Sequence, residues 1–205
     1  TNGTDKRFKN RIGNLFRVKC PSCGKLTQHM VFGTIIYYPN SSICRAAIHS
    51  GSLPMDQEGE VILEIMGKQP TFNGVPSNGI FSSSIGAEEY SLRIQKAPPL
   101  REISCNTKGT DDEFGVAEKN VKMLVVCPKN CLEEKVIPPI YGSETYADIS
   151  SICISAIHSG IIGKKGGEIQ LMFSDGKPEY KGTQGFGVLS LQLDSQIRSF
   201  SFVGS

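Results

Sequence analysis

The sequence has no tryptophan and only three histidines in 205 residues, and its formal net charge is +2. So small a charge sets up no field that would gather nucleic acid or an anionic surface over a distance. The one basic cluster, Asp5–Arg11 (DKRFKNR), is short and reads as a solvated lead-in rather than a nucleic-acid patch. Long apolar runs are also missing. None approaches the ~18 residues that cross a bilayer as a helix, so no membrane span is expected. The chain opens on Thr1 and shows no signal-peptide pattern, which suits a processed form or a fragment of a longer protein and says nothing against secretion. Neither paired carboxylates nor a Ser-His-Asp pattern stands out, so no enzyme and no cofactor is expected.

What is present points to folded domains. Hydrophobic residues make up 39% of the chain and charged residues 20%, a globular rather than a disordered balance. The stretch Ser41–Gly51 (SSICRAAIHSG) returns almost unchanged at Ser150–Gly160 (SSICISAIHSG), 109 residues later. Cys20 and Cys127 match at a spacing of 107, Cys23 and Cys131 at 108, and Gly33 and Tyr37 match Gly142 and Tyr146 at 109. Gly59 and Gly79 match Gly167 and Gly187 at 108. A spacing this steady implies two homologous domains in tandem, 1–97 and 98–205, joined near Lys96–Leu100 (KAPPL), where paired prolines stiffen the link.

The seven cysteines follow the repeat. Six pair off between the copies, and Cys105 has no counterpart in the first. Each domain is therefore expected to own four, the first domain's leading cysteine lying upstream of Thr1. In Ser42–Ser50 the apolar residues Ile43, Cys44, Ala47 and Ile48 share one helical face, repeated at Ile152, Cys153, Ala156 and Ile157. Serines stand at the helix start and Gly51 and Gly160 at its end, as caps require. So short a helix needs covalent and tertiary support, and a disulfide from Cys44 to a neighbouring strand would supply it. Around it, Glu60–Met66, Tyr90–Gln95, Lys122–Val126, Glu168–Phe173 and Ser199–Val203 read as strands. Gly163–Gly167 and Ser174–Pro178 read as turns. The fold class is α+β: a central helix wrapped by short irregular strands, twice over.

These residues resemble the LCCL domain: a cysteine-proline entry, then Val31–Gly51 (VFGTIIYYPNSSICRAAIHSG), then Gly59-Glu60-Val61 and Asn78-Gly79-Ile80. The likeness covers roughly 15–96 and 101–203. The second copy departs at Ile154, where a small or basic residue is usual, and at Gly185–Val188, where Asn-Gly-Ile is usual. The resemblance implies non-enzymatic, secreted modules of adhesive or matrix mosaics, apicomplexan ones included, located outside the cell or in the lumen of the secretory pathway. It implies partners that are anionic glycan, lipopolysaccharide or extracellular protein, together with neighbouring domains of the same polypeptide. The alternative role is a structural spacer that mediates protein–protein contacts in a secreted complex. The family pairing, first cysteine to second and third to fourth, carries over as Cys23–Cys44, Cys105–Cys127 and Cys131–Cys153, with Cys20 bonded to the missing upstream cysteine.

Several patterns invite a chemical reading. Cys20 and Cys23 with His29 have the look of a zinc or redox pair, but Cys127 and Cys131 have no nearby histidine, so disulfides are favoured. Cys44 with His49, and Cys153 with His158, suggest a thiolate–imidazole couple. A spacing of five turns the two side chains about 140° apart on a helix, so a structural contact is favoured over a nucleophile. Arg45, Lys164, Lys165, His49 and His158 are the candidate ligand contacts, weighed against solvated charge and helix-end hydrogen bonding. Gly163–Glu168 (GKKGGE) precedes a strand instead of opening a helix, unlike a phosphate loop. Asn2-Gly3-Thr4 and Asn40-Ser41-Ser42 are N-glycosylation sequons, with Asn40 placed where it would compete as a helix cap.

Overall fold

The computed structural model describes residues 2–9, 11–22, 29–115 and 117–203. The chain divides into two compact units, Thr1–Pro98 and Pro99–Ser205. In the first, β1 (Leu15–Cys20), β2 (Gly33–Thr34), β3 (Ile36–Tyr37), β4 (Gly59–Met66) and β5 (Ser91–Lys96) form an antiparallel sheet in the order β1-β4-β5-β3-β2. One short helix, α1 (Ile43–His49), is laid among them. β4 is the most apolar strand, and Val61, Leu63 and Ile65 alternate into the core as a period of two requires. On β5, Leu92 and Ile94 do the same. Register pairs Leu63 with Ile94 and with Phe16, and Cys20 with Gly59.

The second unit repeats the plan. After a short helical turn, α2 (Asp112–Gly115), come β6 (Lys122–Cys127), β7 (Thr145–Ala147), α3 (Ile152–His158) and β8 (Gly167–Asp175). Two small ladders follow: β9 (Glu179–Tyr180) pairs with β12 (Leu193–Asp194), and β10 (Gln184–Gly185) pairs with β11 (Val188–Leu189). The last strand is β13 (Arg198–Phe202), and the main sheet runs β6-β8-β13-β7. Its register, Cys127 with Gly167 and Leu171 with Phe202, copies that of the first unit. β1, which carries polar residues at every other position, is a strand that the sequence reading did not identify, and so are the two- and three-residue strands.

The helices are held by their surroundings rather than by their own propensity, because seven residues are too few to offset nucleation. Ile43, Ala46, Ala47 and Ile48 of α1 are fully buried, and the two alanines let the sheet approach closely. α3 is buried on every side: all seven of its residues lie inside. Ile154 replaces Arg45 at the aligned position, and that substitution closes the last half-exposed side of the helix. Both helices stop at a glycine in left-handed conformation, Gly51 at φ 77° and Gly160 at φ 76°.

Three disulfides staple the described residues, and they differ from the pairing that the family resemblance implied. Cys20 joins Cys44, Cys105 joins Cys131, and Cys127 joins Cys153. The proposed Cys23–Cys44, Cys105–Cys127 and Cys131–Cys153 bridges are therefore replaced, and Cys20 takes Cys44 instead of an upstream partner. The reason is the pleat. Val125 and Cys127 share the buried face of β6, so the thiol at the strand end faces the first turn of α3. Cys131 comes after Asn130, whose left-handed backbone (φ 63°) turns the chain into a 3₁₀ turn at Cys131–Glu133 that meets the Cys105 loop. Cys23 lies outside the described residues.

Candidate functional site

The serine, cysteine and histidine that open and close the repeated segment have structural tasks. The first serine of each copy clamps the backbone nine residues earlier. Ser41 Oγ accepts from Phe32 N at 3.0 Å, and Ser150 Oγ accepts from Tyr141 N at 2.9 Å. The second serine caps only in the second copy. Ser151 Oγ accepts from Ile154 N and donates to Cys105 O, whereas Ser42 is the N-cap of α1 without a side-chain bond. The cysteine ties the helix to the end of the first sheet strand.

The histidines close the other end. His49 and His158 are only 1% and 5% exposed. His49 Nδ1 lies 2.9 Å from Tyr37 Oη, and His158 Nδ1 lies 2.7 Å from Tyr146 Oη. Each Nε2 faces a carbonyl, Val75 O at 2.7 Å and Thr183 O at 3.1 Å. A carbonyl oxygen only accepts, so Nε2 carries the hydrogen in both copies. Burial holds both tyrosines above the ordinary phenol range, so each stays protonated and donates to Nδ1. This tyrosine–imidazole–carbonyl chain pins the loop around residues 75 and 183 to the helix end. It leaves neither histidine a ring nitrogen for a ligand, and His49 and His158 are withdrawn from the candidate contacts.

The candidate cations do not form one set. Arg45 is half-buried on α1 in the first unit. Lys164 and Lys165 are exposed in the second, and the aligned positions in the first are Asp56 and Gln57. These three cations are therefore not repeated between the two domains. Cys20 and Cys127, suspected as half of a metal or redox pair, are consumed in disulfides.

A different surface lies where the second copy departs from the family pattern. In the second unit Leu132, Ile137, Pro139, Val188, Leu189 and Leu191 are among the residues that line a groove of about 450 Å³. Phe186, next in the chain to Gly187 of that lining, stands 74% exposed, and Leu189 is 62% exposed. Phe186 holds φ at 43°, in the left-handed region that a bulky side chain rarely occupies. Its counterpart, Asn78 at φ 47°, suits that conformation and donates Nδ2 to His49 O at 3.0 Å. Phenylalanine forgoes that hydrogen bond and lays one edge of its ring against Gly160 at the end of α3, while most of the ring stays exposed. At the position of Leu189 the first unit also exposes an aromatic, Phe81.

The family model for the LCCL domain matches residues 1–92 and 103–200. The chain is 35% identical over 195 residues to human "Cysteine-rich secretory protein LCCL domain-containing 2", covering 92% of this chain and 38% of that protein. It is 38% identical over 81 residues to bovine vitrin, covering 40% of this chain and 12% of that one. It is 31% identical over 133 residues to mouse cochlin, covering 62% of this chain and 22% of that one. The chain thus spans less than two-fifths of the length of these relatives.

Proposed function

Since the chain belongs to the LCCL family, as two tandem LCCL domains, we propose that it is a non-enzymatic extracellular binding module pair whose partner is an extracellular protein. Three disulfides in domains of about 100 residues suit an oxidising compartment, and the similarity to a protein named as secretory agrees with that. The observation that carries the choice of partner is the apolar groove of the second domain, lined by exposed Leu189 and by Gly187, whose chain neighbour Phe186 is strained and exposed. Contiguous exposed apolar surface marks interaction sites, and aromatics anchor them. In the first domain the aligned position exposes a single aromatic, Phe81, so both modules would contribute to an extended or repetitive partner.

The test uses matrix deposited by cultured cells as the probe. Binding is expected to fall at least tenfold in Phe186→Ser and in Leu189→Asp, to be lost after protease treatment of the matrix, and to survive enzymatic removal of its anionic glycans. Binding that is instead lost with the glycans and in the Lys164→Ala, Lys165→Ala double variant, but retained in Phe186→Ser, would assign the module to anionic glycan. No binding by the intact pair would favour the spacer role.

A further inference from the structure

We infer that the amide of Asn40 is an N-linked glycosylation site and that the sequon at Asn2 stays unmodified. Asn40 occupies the third position of a reverse turn, Tyr38-Pro39-Asn40-Ser41, closed by Ser41 N donating to Tyr38 O at 2.9 Å. It is exposed. Its suspected competing task, capping α1, falls to Ser42. Its Oδ1 accepts from Asn2 Nδ2 at 2.7 Å, which orients the amide. Nδ2 of Asn40 has no hydrogen-bond partner among the described residues, so the atom that would carry the sugar is available.

Asn2 is held differently. Its Oδ1 accepts from Thr4 N at 3.2 Å and from Thr4 Oγ1 at 2.7 Å, and its Nδ2 gives one of its two hydrogens to Asn40 Oδ1. The middle residue of its sequon, Gly3, is buried, donates to Pro39 O, and leaves no room for a Cβ against Leu92. A sugar on Asn2 Nδ2 would be directed at Asn40 and would lift this edge off the domain. The second domain has Ile149 at the position of Asn40, so the site belongs to the first domain alone.

Asn40 lines a pocket of about 490 Å³ together with Asn2, Thr4, Met30 and Phe32. Met30 is 61% exposed, and the first sugar residue would rest against it. The donor is a polyprenyl-diphosphate oligosaccharide. Nδ2 forms a bond to C1 of the first sugar, the C1–O bond to diphosphate breaks, and the displaced Nδ2 proton leaves with the diphosphate; nothing is oxidised or reduced. The inference depends on the reading above only for passage through the secretory pathway. An added signal peptide supplies that passage in the test, so a negative result leaves the binding proposal standing.

The chain, secreted from human cells behind such a peptide, is treated with peptide-N-glycosidase in ¹⁸O-water and digested with trypsin. Trypsin separates Asn2 (Thr1–Lys6) from Asn40 (Leu26–Arg45). Labelled aspartate is expected at position 40 in most molecules and none at position 2. Ser42→Ala, which removes no cap bond, is expected to abolish the label. Ser42→Thr is expected to restore it, and Thr4→Ala to leave it in place. An unlabelled Asn40 in the properly secreted protein, or a label at Asn2, overturns the inference.

Discussion

At the scale of single residues, the histidines that looked like ligands or bases are buried, hydrogen-bonded groups of each domain. Their value is in being satisfied. Removing the phenol hydroxyl leaves Nδ1 buried without a donor, so Tyr146→Phe is expected to cost about 1–3 kcal/mol by chemical denaturation, with Tyr37→Phe behaving alike. Asp148 makes the opposite case. Burial raises its pKa above the usual carboxylate value, against the opposing pull of Arg198. A carboxyl whose folded pKa is raised binds more protons folded than unfolded, so its contribution to stability falls as pH rises from 3.8 through the folded pKa. Asp148→Asn is therefore expected to stabilise the protein at neutral pH and to flatten that part of the pH profile. A wild-type slope that persists in the variant would remove Asp148 as its source.

At the scale of elements, each short helix depends on its disulfide. The Cys127–Cys153 bridge spans 26 residues, which corresponds to about 3.5 kcal/mol of loop entropy. The double variant Cys127→Ala, Cys153→Ala is expected to lose roughly that much, read from denaturant unfolding with the slope rising as the uncrosslinked chain expands. The loop after β10 behaves in the reverse sense, since Phe186 carries backbone strain without a compensating cap. Phe186→Asn restores the residue type found at position 78 and is expected to stabilise the second domain by about 1 kcal/mol while weakening matrix binding. A variant that gained no stability would show that Phe186 is not strained.

For the whole molecule, much was legible because the chain states its plan twice. The repeat, the helix with its glycine stop and the apolar strands β4, β5, β6, β8 and β13 all follow from periodicity and from matching Gly33 to Gly142 or Cys44 to Cys153. β1 escaped because Arg17 and Lys19 interrupt it and its faces are only half-buried. The cysteine pairing escaped for a different reason. Cys127 and Cys131 are four residues apart, and which one faces the helix is decided by the pleat of β6 and by the left-handed turn at Asn130. The apolar groove escaped because Leu132 and Ile137 are distant in sequence from Leu189 and Leu191, and all look like core residues until the fold brings them together at the surface. The departure from Asn-Gly-Ile at Phe186 was its one visible trace.

The claim beneath all of this is that the repeated cysteines bind strand to helix and perform no chemistry. Tryptic mapping of the non-reduced protein, kept acidic against exchange, tests it directly, because cleavage after Lys129 separates Cys127 from Cys131. Asn130–Lys135 is expected disulfide-linked to Glu102–Lys108, and Met123–Lys129 to Val136–Lys164. Recovery of Asn130–Lys135 joined to Val136–Lys164, or of Cys44 and Cys153 as free thiols, would contradict the account.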